Sequence, residues 1–506
     1  VNRSEPVVLV LLCGDLVGHR LDPHTLARQV MADAPAVTAR VVPGLCAHLH
    51  RVTSAVRAAT PRALVLALCE RWQVQGEPEG YARRAGLSPL AVQVVPLGTL
   101  AGNDPSPMAK ARALLSGAVA RARALPPLTP EHIRPVPLGR GGRVGRRALL
   151  TLPPLTYQPV PVVEHGRCAA AQGCRICVAA CPHRALAAID DVVRVRRDAC
   201  TACGRCLTAC PREAIQMPGW SQAETAAQVT AALTHAPHRP LVWQCDRRPP
   251  SGGAWLPVPV SCAGAVTVAM LLQPLLLGAP AVALAHCGDG CRSGTGMAGT
   301  VEDRVAFCRA LLAAMGQSPE RVRLARATEE LPVVDLPPLS APVTPPAAGE
   351  PEGTARLITE LVSVTAAPPL RLEHAASPLG EAVVDPAACT LCGSCAATCP
   401  TGALEYGEDD AGLTLRFDPR RCVACGQCVP ACPERERGAI RVHAVTDTTL
   451  LNGGTRTVVR DAIVRCRRCG GPVASQAMLR RIADLLGSAF RPEVMAERCA
   501  DCRGLP

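Results

Sequence analysis

Hydrophobic positions along the chain fall into short continuous runs separated by polar, helix-patterned stretches, and this rhythm occurs twice. Val7 to Leu12, Val37 to Val42 and Ala63 to Leu68 read as buried strands of a parallel sheet, because neither face of such a strand meets water. Between the first two, Asp22 followed by Pro23 predicts a capped helix running to about Ala32. The second occurrence lies at residues 236–330, with strands predicted at Leu241 to Gln244, Val258 to Ser261 and Ala281 to His286. A helix is expected over Val301 to Met315, capped by Thr300 with Glu302 and Asp303 in its first turn. From Ala254 to Ala285 no residue is charged, a length that suits a membrane span. Pro257, Pro259, Gln273, Pro274, Gly278 and Pro280 interrupt it, so it reads instead as a strand, a buried helix over Ala265 to Leu277 and a further strand.

Each predicted strand end carries a cysteine. Cys13, Cys46 and Cys69 follow the strands of the first occurrence; Cys245, Cys262 and Cys287, with Cys291 one turn later, follow those of the second. Open parallel sheets place their sites at these carboxyl ends. One such cysteine reads equally well as a small buried hydrophobe, but seven placed alike point to ligands.

Four denser runs lie elsewhere. Cys168-x5-Cys174-x2-Cys177-x3-Cys181-Pro182 is followed by Cys200-x2-Cys203-x2-Cys206-x3-Cys210-Pro211. Cys389-x2-Cys392-x2-Cys395-x3-Cys399-Pro400 is followed by Cys422-x2-Cys425-x2-Cys428-x3-Cys432-Pro433. Three thiolates on a tight loop and a fourth before a proline suit a cubane cluster, in which each iron takes one soft sulfur. At the C-terminus, Cys466-x2-Cys469 and Cys499-x2-Cys502 flank an amphipathic helix through Ala477, Leu479, Ile482, Leu485 and Leu486. Two such knuckles supply four thiolates for a tetrahedral ion, zinc or rubredoxin-like iron. Cys308 is left over, inside a predicted helix, and reads as core.

Composition then narrows the partners. Cysteine, 28 of 506 residues, is too clustered for a disulfide framework. The N-terminal residues lack the order of a signal peptide, so a cytoplasmic location is expected. A formal charge of +12 would ordinarily suggest nucleic acid. Four cubanes with their thiolates, a two-iron centre and a four-thiolate zinc carry about −2 each, which offsets that surplus. With aromatics at 2% there is also little to stack on bases, and no nucleic-acid partner is expected.

The four runs resemble the two-cluster bacterial ferredoxins. That resemblance implies crossed ligation, the fourth cysteine of each run serving the other run's cluster. One cluster then takes Cys168, Cys174, Cys177 and Cys210, and its mate Cys200, Cys203, Cys206 and Cys181. In the second pair one takes Cys389, Cys392, Cys395 and Cys432, the other Cys422, Cys425, Cys428 and Cys399. The five-residue gap after Cys168 departs from the usual two. Residues 241–325, through Cys262, Cys287-Gly288-Asp289-Gly290-Cys291, Glu302, Arg304 and Pro319-Glu320-Arg321-Val322, resemble the delta subunit of the methyl-viologen-reducing hydrogenase. This implies a [2Fe-2S] cluster on Cys245, Cys262, Cys287 and Cys291, with Arg248 where that family has a further cysteine. Residues 7–97, through Cys13-Gly14, Cys46, Leu66-Ala67-Leu68-Cys69 and Ala85-Gly86-Leu87-Ser88-Pro89, resemble the N-terminal segment of the heterodisulfide reductase A subunit. That segment holds a cubane on four cysteines where this chain offers three. A [4Fe-4S] cluster with a non-cysteine ligand such as Asp15 or His19, a [3Fe-4S] cluster, a ligand from a partner, or no cluster all remain open. Gly139 to Gly145 follows prolines rather than a strand, so no flavin is expected.

The expected fold class is multidomain α/β and α+β: two related parallel-sheet modules, two ferredoxin-like 2[4Fe-4S] units and a C-terminal zinc-ribbon or rubredoxin-like module. The boundaries are an α/β module at 1–125, a proline- and arginine-rich linker at 126–164, and a ferredoxin unit at 165–220. They continue with a second α/β module at 236–330, a proline-rich linker at 331–355, a second ferredoxin unit at 375–445 and a four-cysteine module at 455–506. With no P-loop, nucleophile elbow or metalloprotease motif, the expected role is electron relay in a subunit of an oxidoreductase complex. It would join a dehydrogenase or hydrogenase to an acceptor module, with about 18 to 22 iron atoms and one zinc. The alternatives are a reductase whose N-terminal cluster binds substrate, and a structural or maturation protein.

Overall fold

In the computed structural model, residues 8–34, 36–70, 77–102, 104–137, 155–245, 253–288, 291, 297–326, 329–344, 352–409 and 412–503 are described. The chain divides into two units, one of residues 1–167, 177–189 and 193–349, the other of residues 168–176, 190–192 and 350–506.

In the first unit, strands β1 (Val8–Cys13), β2 (Val37–Val42), β3 (Ala63–Leu68) and β4 (Val92–Pro96) form a parallel sheet in the order β2-β1-β3-β4. Every residue of β1 and β3 is buried, as their unbroken apolar sequences demand. Asp22 caps helix α1 (Pro23–Asp33) as expected, its Oδ1 accepting from the His24 N–H at 2.9 Å. Helix α2 (Pro107–Ala124) packs beneath this sheet.

The segment expected to be a linker at 126–164 departs from that reading. Strands β5 (Ile133–Pro137) and β6 (Leu155–Pro159) pair as an antiparallel ribbon, whose prolines conceal its strand character in the sequence. Gly139 to Gly145 lies outside the described residues. Helix α3 (Gln222–His235) then starts at a capping box in which Ser221 and Glu224 satisfy each other's backbone N–H groups.

The second sheet repeats the first. Strands β7 (Leu241–Cys245), β8 (Leu256–Val260), β9 (Val282–His286) and β10 (Val322–Arg326) are parallel in the order β8-β7-β9-β10. The uncharged stretch is strand β8, a short turn, helix α4 (Val268–Leu276) and β9. Among the described residues no helix is long and apolar enough to cross a membrane. The helix expected from Val301 begins a turn earlier, as α5 (Met297–Ala314). Met297 and Ala298 favour helix, so Thr300, Glu302 and Asp303 sit inside it and Thr300 is not its cap.

Helices α2 and α3 pack against each other and bind the two sheet modules into one unit. Their closest approach needs Gly117, where a Cβ would lie 3.0 Å from the Gln228 carbonyl oxygen. Beside them Arg239 forms a bidentate pair with buried Asp104, both bonds at 2.7 Å, and Lys110 lies 3.8 Å from the same carboxylate. Part of the expected second linker is laid as a strap over the second sheet: the Trp255 indole donates to the Pro332 carbonyl at 3.0 Å, and the Val343 N–H to Leu276 at 2.8 Å.

The second unit opens with helix α6 (Gly353–Val364), which the proline-rich reading of 331–355 does not anticipate. Two antiparallel three-stranded sheets follow. One joins 371–373, 440–447 and 380–384; the other joins 404–409, 412–417 and 456–461. Strands at Ile463–Arg465 and Pro472–Ser475 form a hairpin, and helix α7 (Gln476–Leu486) has the amphipathic character its sequence predicts.

Candidate metal centres

The cysteine-run loops share one backbone device. Two residues after the first cysteine of three of the four runs stands a residue in the left-handed region: Ala202 (φ 55°), Leu391 (φ 52°) and Ala424 (φ 53°). A glycine in the same region follows the second cysteine, as Gly204 (φ 75°), Gly393 (φ 77°) and Gly426 (φ 71°). Each non-glycine residue there costs about 1–2 kcal/mol. The return is a curl that turns backbone N–H groups toward sulfur. Ala202 N–H lies 3.4 Å from Cys200 Sγ and Leu391 N–H 3.4 Å from Cys389 Sγ. The cysteines before proline receive the same bond, from Ala185 to Cys181 and from Ala214 to Cys210, each at 3.2 Å. Such bonds favour thiolate and tune cluster potential.

The geometry brings together the cysteines of three of the four crossed sets. In the first unit Cys181, Cys200, Cys203 and Cys206 line one small cavity with His183, Leu186 and Met217. In the second unit Cys389, Cys392, Cys395 and Cys432 line another, walled by Val384, Leu391, Leu415 and Ile440. Cys399 likewise lies among Cys422, Cys425 and Cys428, close enough to raise the pKa values of all three. Burial, reinforced by neighbouring thiols, pushes Cys395, Cys422 and Cys428 up to about 12. Loading metal at neutral pH therefore displaces protons. Of the remaining set, Cys177 lies close to buried Cys206, and Cys174 close to Cys425.

At the second parallel sheet, Cys245 ends β7, Cys262 follows β8, and Cys287 and Cys291 follow β9. The four form a chain of contacts. Cys262 is hydrogen-bonded to Cys291, which with burial drives the Cys262 pKa strongly upward. Cys287 is hydrogen-bonded to both Cys245 and Cys291, and the bond to Cys245 holds the Cys287 pKa below the usual thiol value. Four thiols in contact are the number a two-iron core takes. Sequence reading passed over what holds the Cys262 turn. The buried Arg304 guanidinium, its pKa lowered to about 10 chiefly by burial, donates to the Gly264 carbonyl at 3.2 Å and to that of Val266. It also reaches Thr208 Oγ1 at 3.3 Å, in the ferredoxin segment. Cys203 and Cys262, ligand candidates of two different centres, are buried against each other. Their approach depends on Gly204, where a Cβ would stand 2.4 Å from that of Ala265.

Two further sets remain. Cys466, Cys469, Cys499 and Cys502 have all four Sγ atoms within 4.8 Å of one another, as a single tetrahedral ion requires. The Cys499 and Cys469 backbone N–H groups hold Cys466 down to about 6. Cys13, Cys46 and Cys69 have their Sγ atoms within the same 4.8 Å. Asp15 Oδ2 lies 3.7 Å from Cys13 Sγ, and His19 packs beside Gly98 and the Cys69 carbonyl. Cys308 is fully buried inside α5, where burial raises its pKa far above the usual thiol value, and it serves the core.

Parallel sheets with cysteine clusters at their strand ends, joined to cubane-type loops, define an iron-sulfur protein of the electron-transfer class. Residues 388–436 match the family model of a 4Fe-4S dicluster domain, and residues 193–216 that of a 4Fe-4S binding domain. Residues 254–331 match that of the methyl-viologen-reducing hydrogenase, delta subunit, so this part of the chain is similar to an iron-sulfur subunit of a hydrogenase. No curated protein matches it.

Proposed function

We infer that the chain relays single electrons between partner proteins in an oxidoreductase complex, one end meeting a dehydrogenase or hydrogenase and the other an acceptor module. The observation that carries this reading is the contact between Cys203 and Cys262. One belongs to a cubane-type set and the other to the four-cysteine set of the hydrogenase-like module, so two centres of different type would share a buried boundary with no solvent between them. Three cubane sets lie together as such clusters need, which supports the reading; the fourth cubane, on Cys168, Cys174, Cys177 and Cys210, rests on the ferredoxin resemblance, and the [2Fe-2S] cluster would sit on Cys245, Cys262, Cys287 and Cys291. The C-terminal quartet is a zinc-ribbon-like site. The clusters supply the electron chemistry; the protein holds them close, excludes water and directs N–H groups at sulfur.

Elemental and acid-labile sulfide analysis of the anaerobically purified chain tests this reading. About 18 iron atoms with matching sulfide are expected. The decisive second step is rapid-freeze spin resonance after mixing with a low-potential one-electron donor. Signals of both cluster types should arise within one mixing time in the native chain, and the second should lag in Cys262→Ser. A chain that holds zinc but little iron and sulfide ends this reading.

A further inference from the structure

The two sheet modules carry cysteines at equivalent places, yet their sulfurs are arranged differently. Cys13 ends β1, Cys46 follows β2 and Cys69 follows β3, as Cys245 ends β7, Cys262 follows β8 and Cys287 follows β9. The fourth ligand of the second module, Cys291, comes four residues after Cys287. Four residues after Cys69 stands Gln73, an amide rather than a thiol and outside the described residues. The first module thus lacks the sulfur that would complete a set of four.

Spacing then decides between kinds of metal centre. In a cubane each thiolate binds its own iron, which sets the sulfurs apart. Two thiolates on one ion, each about 2.3 Å from it, cannot be more than about 4.6 Å apart. Among the described residues, sets of three or more cysteines with all sulfurs within 4.8 Å are the C-terminal quartet and Cys13, Cys46 and Cys69. The three ferredoxin quartets that lie within one unit, whose cysteines are all described, do not close up this far.

The surroundings favour a fixed thiolate site. Cys13 is fully buried and Cys69 nearly so. The Cys69 N–H donates to Cys46 Sγ at 3.2 Å. The backbone at Cys69 is clamped by the turn opposite: Thr99 N–H donates to the Cys69 carbonyl at 3.0 Å, and a Cβ at Gly98 would fall 1.9 Å from that oxygen. An oxygen donor stands beside the set, the Asp15 carboxylate on the turn that follows β1, 3.7 Å from Cys13 Sγ.

We propose that Cys13, Cys46 and Cys69 hold a single thiophilic divalent ion of the zinc type, with Asp15 beside its fourth position, in place of an iron-sulfur cluster. Binding displaces three thiol protons and leaves a complex of net charge −1, or −2 with the carboxylate bound. The relay does not depend on this site, since its iron sits elsewhere.

The test is elemental analysis of the full chain purified anaerobically, native against Cys13→Ser/Cys46→Ser. Zinc should fall from about two to about one per chain while iron stays near 18. A loss of two to four iron atoms with zinc unchanged, or no metal loss at all, overturns the proposal. Should the double variant lose iron throughout through misfolding, Cys499→Ser/Cys502→Ser removes the other zinc site instead. Zinc-edge absorption should then show the remaining ion with three sulfur neighbours; four sulfurs, or no zinc, overturns it. Failure of the relay reading would show differently, as iron missing from the native chain.

Discussion

At Gly204 the absence of a side chain lets two metal-binding segments touch. An alanine there would press on Ala265 while holding φ at 75°. Gly204→Ala should cost about 2–4 kcal/mol, combining left-handed strain with overpacking. Gly426→Ala, at φ 71° with nothing within 4 Å of the new Cβ, should cost only about 1–2 kcal/mol. Chemical denaturation with iron release as a second readout checks the contrast; equal costs would show that packing at Ala265 is slack. Arg304 acts by charge. Its guanidinium holds the Cys262 turn and lies near the sulfur itself. Arg304→Gln removes a buried positive charge, and its loss favours the oxidised cluster, so the midpoint of the Cys262 centre should fall by roughly 65–130 mV, the equivalent of a charged hydrogen bond in a one-electron couple. A spectroscopic redox titration measures it, and an unchanged midpoint would leave Arg304 only a structural role.

Among the elements, the joint between the two sheet modules rests on α2, α3 and the buried Asp104 cluster. Burial raises the Asp104 pKa, but the Arg239 hydrogen bonds, the Ser106 N–H and the charges of Arg239 and Lys110 together outweigh it, and the net shift is downward from 3.8. A carboxyl depressed in the folded state contributes stability that is present above its unfolded pKa and lost as pH falls through the folded value. Asp104→Ala, which leaves Arg239 and Lys110 without their partner, should destabilise the unit by about 3–5 kcal/mol at neutral pH. The difference from the native chain should shrink as pH drops below about 4. A penalty that persists unchanged at pH 3 would point to lost packing rather than lost charge.

Much at this scale was legible because it is local. The buried strands, the Asp22 cap and the amphipathic α7 follow from neighbours in sequence. The ribbon at 133–159 was not, because proline looks the same in a sheet edge as in a linker. Nor was the true start of α5, since a threonine before acidic residues imitates a cap. The left-handed Ala202, Leu391 and Ala424 carry no signal of their own. Arg304 is visible in the sequence only as one residue of the hydrogenase-like pattern, and its role appears when the fold carries it to the Cys262 turn.

For the molecule as a whole, the sequence announces which cysteines belong to cubane loops and hides which centres meet. Cys203 and Cys262 are brought together only because a ferredoxin segment is inserted between two parallel-sheet modules that pack through α2 and α3. That contact distinguishes a relay from a collection of separate cofactors. Two paramagnetic centres with ligands in contact must sense each other's spin when both are reduced. The most direct measurement is electron paramagnetic resonance of the fully reduced chain, compared with Cys200→Ala/Cys206→Ala, which removes the cubane facing Cys262. The signal of the Cys262 centre should be broadened or split in the native chain and sharpen in the variant. A signal identical in both would contradict a relay built on this contact.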